Sequence, residues 1–180
     1  VKEGVTSFPK DVSLLVAETM ITGISGVAVL ARHAGAGLRV VDLGIDGDLK
    51  AEGIIDRKIR KSTSSFLAGP AMSRDEAVRA IETGIGITMD AINDGADLLG
   101  TGEVGIGNTT TSSAMLYAFT GGSLDSIVGR GAGLDDEGLA RKKDVIRRGV
   151  EFNKPDPSDP VDVISKVGGF DLAGLTGVYL

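Results

Sequence analysis

The chain has 180 residues and a formal charge of −6 at pH 7, a length at which one α/β domain around a single core is the expectation. The acidic balance, with no long basic run, excludes the broad positive field that a nucleic-acid backbone requires. The lack of cysteine removes disulfides, thiolate nucleophiles and sulfur-ligated metals, and suits a reducing cytoplasm. No apolar run is read as reaching the ~18 residues that span a bilayer, so a soluble protein is expected. Val1 in place of an initiator Met, and an apolar, glycine-rich end at Leu180, are read as cut ends. The 27 glycines and absence of tryptophan call for a core of Val, Ile, Leu and Ala with closely approaching backbones.

In chain order, Pro9 followed by Val12, Leu15, Val16 and Met20 predicts a helix, since Pro suits a first turn and the spacing makes one apolar stripe. A second helix is expected from about Ile24 to His33, broken at 35–37. The β-branched run 38–44 predicts a parallel-sheet strand. Residues 46–72, charged and irregular with a stop at Gly69-Pro70, predict a surface excursion. Ser73 and Glu76 have capping-box spacing ahead of a helix from Arg74 to about Asn93, with Ala77, Ile81, Ile85, Thr88 and Ile92 as its buried stripe. Asn93-Asp94-Gly95 ends it. A second strand is expected at 96–99, a helix opening at Asn108, a third strand at 126–129, and a helix from Asp135 to about Phe152. Pro155, Pro157 and Pro160 mark a loop, and a last helix is expected from near Asp162 to Val167. The alternation predicts an α/β fold: a Rossmann-like parallel sheet flanked by helices in three layers.

Chemistry concentrates in the stretch 100–110, Gly-Thr-Gly-Glu-Val-Gly-Ile-Gly-Asn-Thr-Thr, between a predicted strand and a predicted helix. Glycines there let backbone N–H groups approach an anion, and the helix N-terminus adds partial positive charge, so a phosphate fits. Gly100, Gly102 and Gly105 also match G-x-G-x-x-G, which keeps a dinucleotide-binding Rossmann domain as the alternative. That fingerprint needs an acidic residue at the end of the next strand; Asp125 has the distance but precedes its strand, and Glu103 would repel a pyrophosphate. A third reading makes the glycines a tight turn capped by Asn108 or Thr109. A carboxylate beside a phosphate cradle suits a ligand with an anionic end and a cationic or N–H-bearing ring, which Glu103 would serve. His33, Asp42 and Asp46 read as caps or surface groups. With one His and no Cys, no catalytic dyad or transition-metal site is expected from the usual ligands.

The segments 102–110, 69–72 (Gly-Pro-Ala-Met), 162–171 (Asp-Val-Ile-Ser-Lys-Val-Gly-Gly-Phe-Asp) and 3–5 (Glu-Gly-Val) together resemble the nicotinate-nucleotide:dimethylbenzimidazole phosphoribosyltransferases. The resemblance implies transfer of phosphoribose from nicotinate mononucleotide to 5,6-dimethylbenzimidazole, giving α-ribazole 5′-phosphate and nicotinate in cobalamin nucleotide-loop assembly. It implies a Rossmann-like core, a homodimer, and neither metal nor cofactor. Glu103 is then the supporting carboxylate of the active site. The family's general base, a Glu in a Gly-Glu-Gly motif near the C-terminus, does not occur among these 180 residues, so a single α/β core domain over 1–180, truncated at both ends, with weak or absent turnover is expected. By the same match Gly102, Val104, Gly105, Asn108 and Thr109 hold the nucleotide and Lys142 adds a cation. From the residues alone, Lys142 reads as part of a solvated basic helix face, in the run Arg141-Lys142-Lys143. Residues 129–133 resemble the family's second glycine loop, through Gly131, although Gly133 stands where Asn is usual. Phe8 and Pro9 match the lining of the benzimidazole pocket. A different class of reading, a non-catalytic nucleotide-binding or oligomerising module, stays open. The acceptor can equally be another benzimidazole, adenine or a phenol.

Overall fold

The computed structural model describes residues 1–48 and 51–180. It is an α/β chain, mostly helical with a small parallel sheet. The elements are α1 (Val12–Ile21), α2 (Gly26–Ala34), β1 (Val40–Asp42), β2 (Ile54–Asp56), α3 (Arg74–Asn93), α4 (Asn108–Thr120), α5 (Leu124–Ile127), α6 (Asp136–Asn153), α7 (Pro160–Val167) and α8 (Phe170–Tyr179).

The helices that start at the caps Ser73 and Asp135 fall where the sequence puts them, whereas α5, capped by Ser123, lies where a strand is expected and α7, capped by Asp159, starts inside the expected loop. The Ser73–Glu76 capping box is made in both directions. Asp135 caps α6 by accepting from the Gly138 N–H at 2.8 Å. Ser25 caps α2, two residues after the expected start. Pro9 lies ahead of α1, where its carbonyl accepts from Val12, and Asp11 is the N-cap. Pro160 opens α7 itself, and α8 is an element that the sequence reading does not include. The apolar stretch Val12–Ala34 is, by length and composition, enough to cross a membrane, contrary to expectation. In the fold it is α1 and α2, helices of 10 and 9 residues with a break between them.

The strand expectations fare worse. Ser123 takes an N-cap position and its hydroxyl accepts from the Asp125 N–H, so the run expected as the third strand starts in helix α5. Residues 96–99 form no strand: Leu98 is 90% exposed, and no described strand offers this backbone a ladder, without which an apolar run gains nothing from extension. The sheet among the described residues is β1 and β2, parallel, with Val40 opposite Ile54 and Asp42 opposite Asp56.

β2 also corrects the surface excursion. Residues 57–62 continue along β1, with the N–H groups of Arg57, Ile59 and Ser62 donating to the carbonyls of Asp42, Leu43 and Gly44. Arg60 donates to Glu76 at 2.7 Å and to the Ala71 carbonyl at 2.9 Å, and its guanidinium lies 5.4 Å from the Phe170 ring centroid, a cation–π placement. Phe66, Ala71 and Met72 are core residues. Within the expected excursion, Leu49 and Lys50 lie outside the described residues.

Two apolar clusters share α7. Val5, Phe66, Ala114, Val145, Ile146, Val163 and Val167 pack where α4, α6 and α7 meet. Met72, Ala77, Ala80, Ile164, Phe170 and Ala173 fill the space between α3, α7 and α8. The buried stripe of α3 is Ala77, Ala80, Gly84 and Ala91, whereas Ile85 and Ile92 are exposed. The stripe is rotated from the expected one because α3 meets α8 backbone to backbone. A Cβ on Gly84 would stand 1.9 Å from the Gly174 carbonyl oxygen, and one on Gly177 would stand 1.9 Å from that of Ile81.

Candidate functional site

The start of α4 is built without a side-chain cap. Gly107 holds the N-cap position at φ 93°, a conformation natural to glycine. Gly107 itself puts no side chain over the helix end, so the N-terminus stays approachable by an anion. The loop before it is anchored to α1, since the Ile106 N–H donates to the Ser13 hydroxyl at 3.0 Å. Ser13 is a residue the sequence reading does not single out. This bond ties the cradle to the helix that follows the exposed Phe8 and Pro9.

Around this start runs a continuous hydrogen-bonded row. Asn108 Nδ2 donates to Glu103 Oε2, and Asn108 Oδ1 accepts from the Thr109 N–H at 2.8 Å. Lys142 Nζ donates to Thr109 Oγ1 at 2.7 Å and to the Gly129 carbonyl at 3.2 Å. The row therefore has a carboxylate at one end and an ammonium at the other. The second glycine loop closes over the ammonium end: a Cβ on Gly131, at φ 54°, would stand 3.0 Å from Thr109 Oγ1 and 3.3 Å from Lys142 Nζ.

Lys142 departs from the reading of the residues alone, whereas the resemblance implies a site cation at this position. Instead of a solvated helix face, its side chain is 1% exposed, and among the described residues no carboxylate pairs with it. Its neighbours Arg141 and Lys143 pair with Glu137 and Asp125, as an ordinary surface run does. Burial pushes the Lys142 ammonium below the usual lysine range, because desolvation penalises the charged form. A buried cation without a counter-charge, beside an open helix N-terminus, is suited to an anion.

The structure thus brings Gly105, Asn108, Thr109, Gly131, Lys142 and Glu103 to one place, with Gly102 and Val104 flanking the carboxylate. Asp42 is a structural group: it is buried, accepts from the N–H groups of Gly44 and Ile45, and pairs with Lys58 at 2.5 Å. Asp46 pairs with Lys10 on the surface, and His33 is exposed in the last turn of α2. Two of the other segments quoted for the resemblance hold each other, since the N–H groups of Ala71 and Met72 donate to the carbonyls of Lys166 and Ser165.

A family model described as phosphoribosyltransferase (DBI_PRT) matches residues 1–180. The nicotinate-nucleotide–dimethylbenzimidazole phosphoribosyltransferase of Ruminiclostridium cellulolyticum is 51% identical over 180 residues, 100% of this chain and 51% of that protein. The protein of the same name from Acetivibrio thermocellus is 49% identical, again over 100% of this chain and 51% of its own length. A crystal structure of CobT from Thermus thermophilus superposes with a TM-score of 0.94 at 35% identity, covering 99% of this chain and 54% of that one. The chain spans about half the length of the curated relatives it matches.

Proposed function

Because the chain belongs to the phosphoribosyltransferase family whose model spans residues 1–180, we propose that the cradle binds nicotinate mononucleotide. We propose further that it serves transfer of phosphoribose to 5,6-dimethylbenzimidazole, giving α-ribazole 5′-phosphate and nicotinate in cobalamin nucleotide-loop assembly. The observation that carries this reading is Lys142, a buried and carboxylate-free cation bonded to Thr109 at the open start of α4. In this reading Gly105, Asn108 and Thr109 hold the 5′-phosphate at the helix N-terminus together with Lys142 and the Gly131 turn. Gly102 and Val104 hold Glu103 at the opposite end of the row, over the ribose and the pyridinium. Phe8 and Pro9 line the acceptor pocket.

A ring nitrogen of the acceptor forms the new bond to the anomeric carbon as the bond to nicotinate breaks. The bonding pair leaves with nicotinate and neutralises its ring. The acceptor's other nitrogen loses its proton to a carboxylate, which sharpens the nucleophile. Glu103, at fixed distance from the phosphate end, stabilises the positive charge that develops on the ribose. No Gly-Glu-Gly occurs in the 180 residues, so the general base is assigned to a segment outside them. The same reading holds the chain to be a single cytoplasmic α/β domain, part of a Rossmann-like three-layer core that acts as a homodimer, without metal or cofactor.

Titration calorimetry tests the binding. The chain should take up one nicotinate mononucleotide, and Gly105→Asp should abolish the heat. A Cβ there meets only the Asn108 Cβ, at 3.8 Å, so the effect is electrostatic rather than steric. Tighter binding of NAD than of the mononucleotide would favour a dinucleotide domain instead. With both substrates present, turnover should be far below that of a full-length relative; turnover equal to it would overturn the assignment of the base to another segment.

A further inference from the structure

Asp171 is a second carboxyl group behind the cradle, and the phosphate-binding row makes no use of it. It sits in the first turn of α8. An acid there ordinarily faces solvent and gains from the helix dipole. This one faces inward. Its Oδ2 is buried and has no hydrogen-bond partner among the described residues. The turn that sets it there is tight: a Cβ on Gly168 would stand 2.5 Å from the Ile164 carbonyl oxygen, and one on Gly169 would stand 2.2 Å from Asp171 Oδ1 and 3.2 Å from Thr111 Oγ1. Phe170, buried under Arg60, pins the same corner. The Asp171 side chain is thereby set beside Thr111 of α4.

Glu103 is the charged group that acts on Asp171, both as a charge and as a hydrogen-bond partner, and no Lys or Arg among the described residues pairs with Asp171. Two ionised carboxylates offer each other only acceptors, and desolvation makes the arrangement worse. One proton between them resolves it. Consistent with this, burial first, and the Glu103 carboxylate after it, push the Asp171 carboxyl up to about 6 against the backbone N–H groups of the helix start, which pull it down.

We propose that Asp171 is the positioning residue for Glu103, its carboxyl O–H donating to the Glu103 carboxylate on the side that Asn108 leaves open. Glu103 is then held by two donors, one from α4 and one from α8, and presents a single negative charge to the ribose and pyridinium. The pair fixes both the direction and the charge of the group. Ionisation of Asp171 removes the donor and adds a second negative charge. The inference rests on the mononucleotide reading for its functional consequence, but not for the proton itself.

Carbon-13 NMR titration of the carboxyl groups in the ligand-free chain reads the proton. Asp171 should titrate near 6, and Glu103→Gln should move that titration downward. An ordinary Asp titration overturns the proposal whatever the chain binds. Calorimetry with nicotinate mononucleotide then reads the positioning. Asp171→Asn, which keeps a neutral donor, should bind within about twofold of wild type. Asp171→Leu, which keeps the branched outline and loses the donor, should bind at least tenfold more weakly in protein shown by thermal melts to be folded. Between pH 5.5 and 7.5 wild-type affinity should fall relative to that of Asp171→Asn, since the ligand phosphate's own second ionisation at pH ~6 is common to both. Equal binding by the Leu variant, or equal loss by both variants, overturns the role. Should wild type bind no mononucleotide, the functional reading fails alone and the NMR titration still decides the pair.

Discussion

Lys142→Met is expected to weaken nicotinate mononucleotide binding at least ~10²-fold while leaving the melting temperature the same or higher. The ammonium is the one buried cation of the cradle and is 1% exposed. Truncating one partner of a buried charge pair costs about 2–5 kcal/mol, much of it from stranding the other charge, and each 1.4 kcal/mol is about tenfold in affinity. In the ligand-free chain the balance has the opposite sign. Burial without a counter-charge lowers the Lys142 pKa, so at neutral pH folding works against the charged form, and Met of similar length removes that penalty. Thr109 and Gly129, which lose their donor, are exposed and find water.

The pH dependence follows from the same shift. The charged ammonium, and with it phosphate affinity, is present at low pH and is lost as pH rises through the lowered value, which lies below the ordinary 10.5. The fold itself is relieved over that interval, since the unfolded chain retains the proton longer than the folded one. Calorimetry across pH 7 to 10, with thermal melts of both proteins, checks both halves. A Met variant that binds as well as wild type would remove Lys142 from the site.

Gly177→Ala is expected to cost more stability than any single change in the cradle. The added methyl would stand 1.9 Å from the Ile81 carbonyl oxygen, 2.8 Å from its carbon and 2.9 Å from the Ile85 nitrogen. All three are backbone atoms of α3, so no side chain can swing away and the helices must part. Overpacking a core costs about 1–3 kcal/mol and more where backbone must move; for a domain of this size a loss of about 3 kcal/mol lowers the melting temperature by roughly 6–12 °C. Gly84→Ala should act alike from the other helix. Gly86→Ala is the control of opposite sign, because nothing lies within 4 Å of its Cβ position and alanine gains up to about 1 kcal/mol over glycine inside a helix. Thermal melts of the three variants separate close packing from helix propensity.

These residues also mark where reading along the chain succeeds. The capping box at Ser73, the Asp135 cap and the glycine-lined start of α4 are local devices, made by groups within about four residues of one another. Local chemistry determines them whatever the rest of the chain does. The phosphate cradle is legible for the same reason, as glycines before Asn108 and Thr109 specify an open helix start by themselves. Strands are not local objects. Residues 96–99 and 126–129 carry apolar, extended-looking runs, yet the first has no ladder and Ser123 starts a helix ahead of the second, because a strand exists only when another takes its hydrogen bonds. β2 is hidden in a charged segment for the converse reason.

The capped starts at Ser73 and Asp135, the cradle loop and the family resemblance of the motifs are thus legible along the chain, while the starts of α5, α7 and α8 are not. Tertiary structure alone decided that Lys142 leaves the solvated run it shares with Arg141 and Lys143 and becomes a buried cation. It also decided that α3 meets α8 through glycines rather than isoleucines, and that Asp171 lies against Glu103, a residue far from it along the chain. Burial and the facing of charges depend on which distant backbones approach, and that approach is a property of the packed fold rather than of any stretch within it.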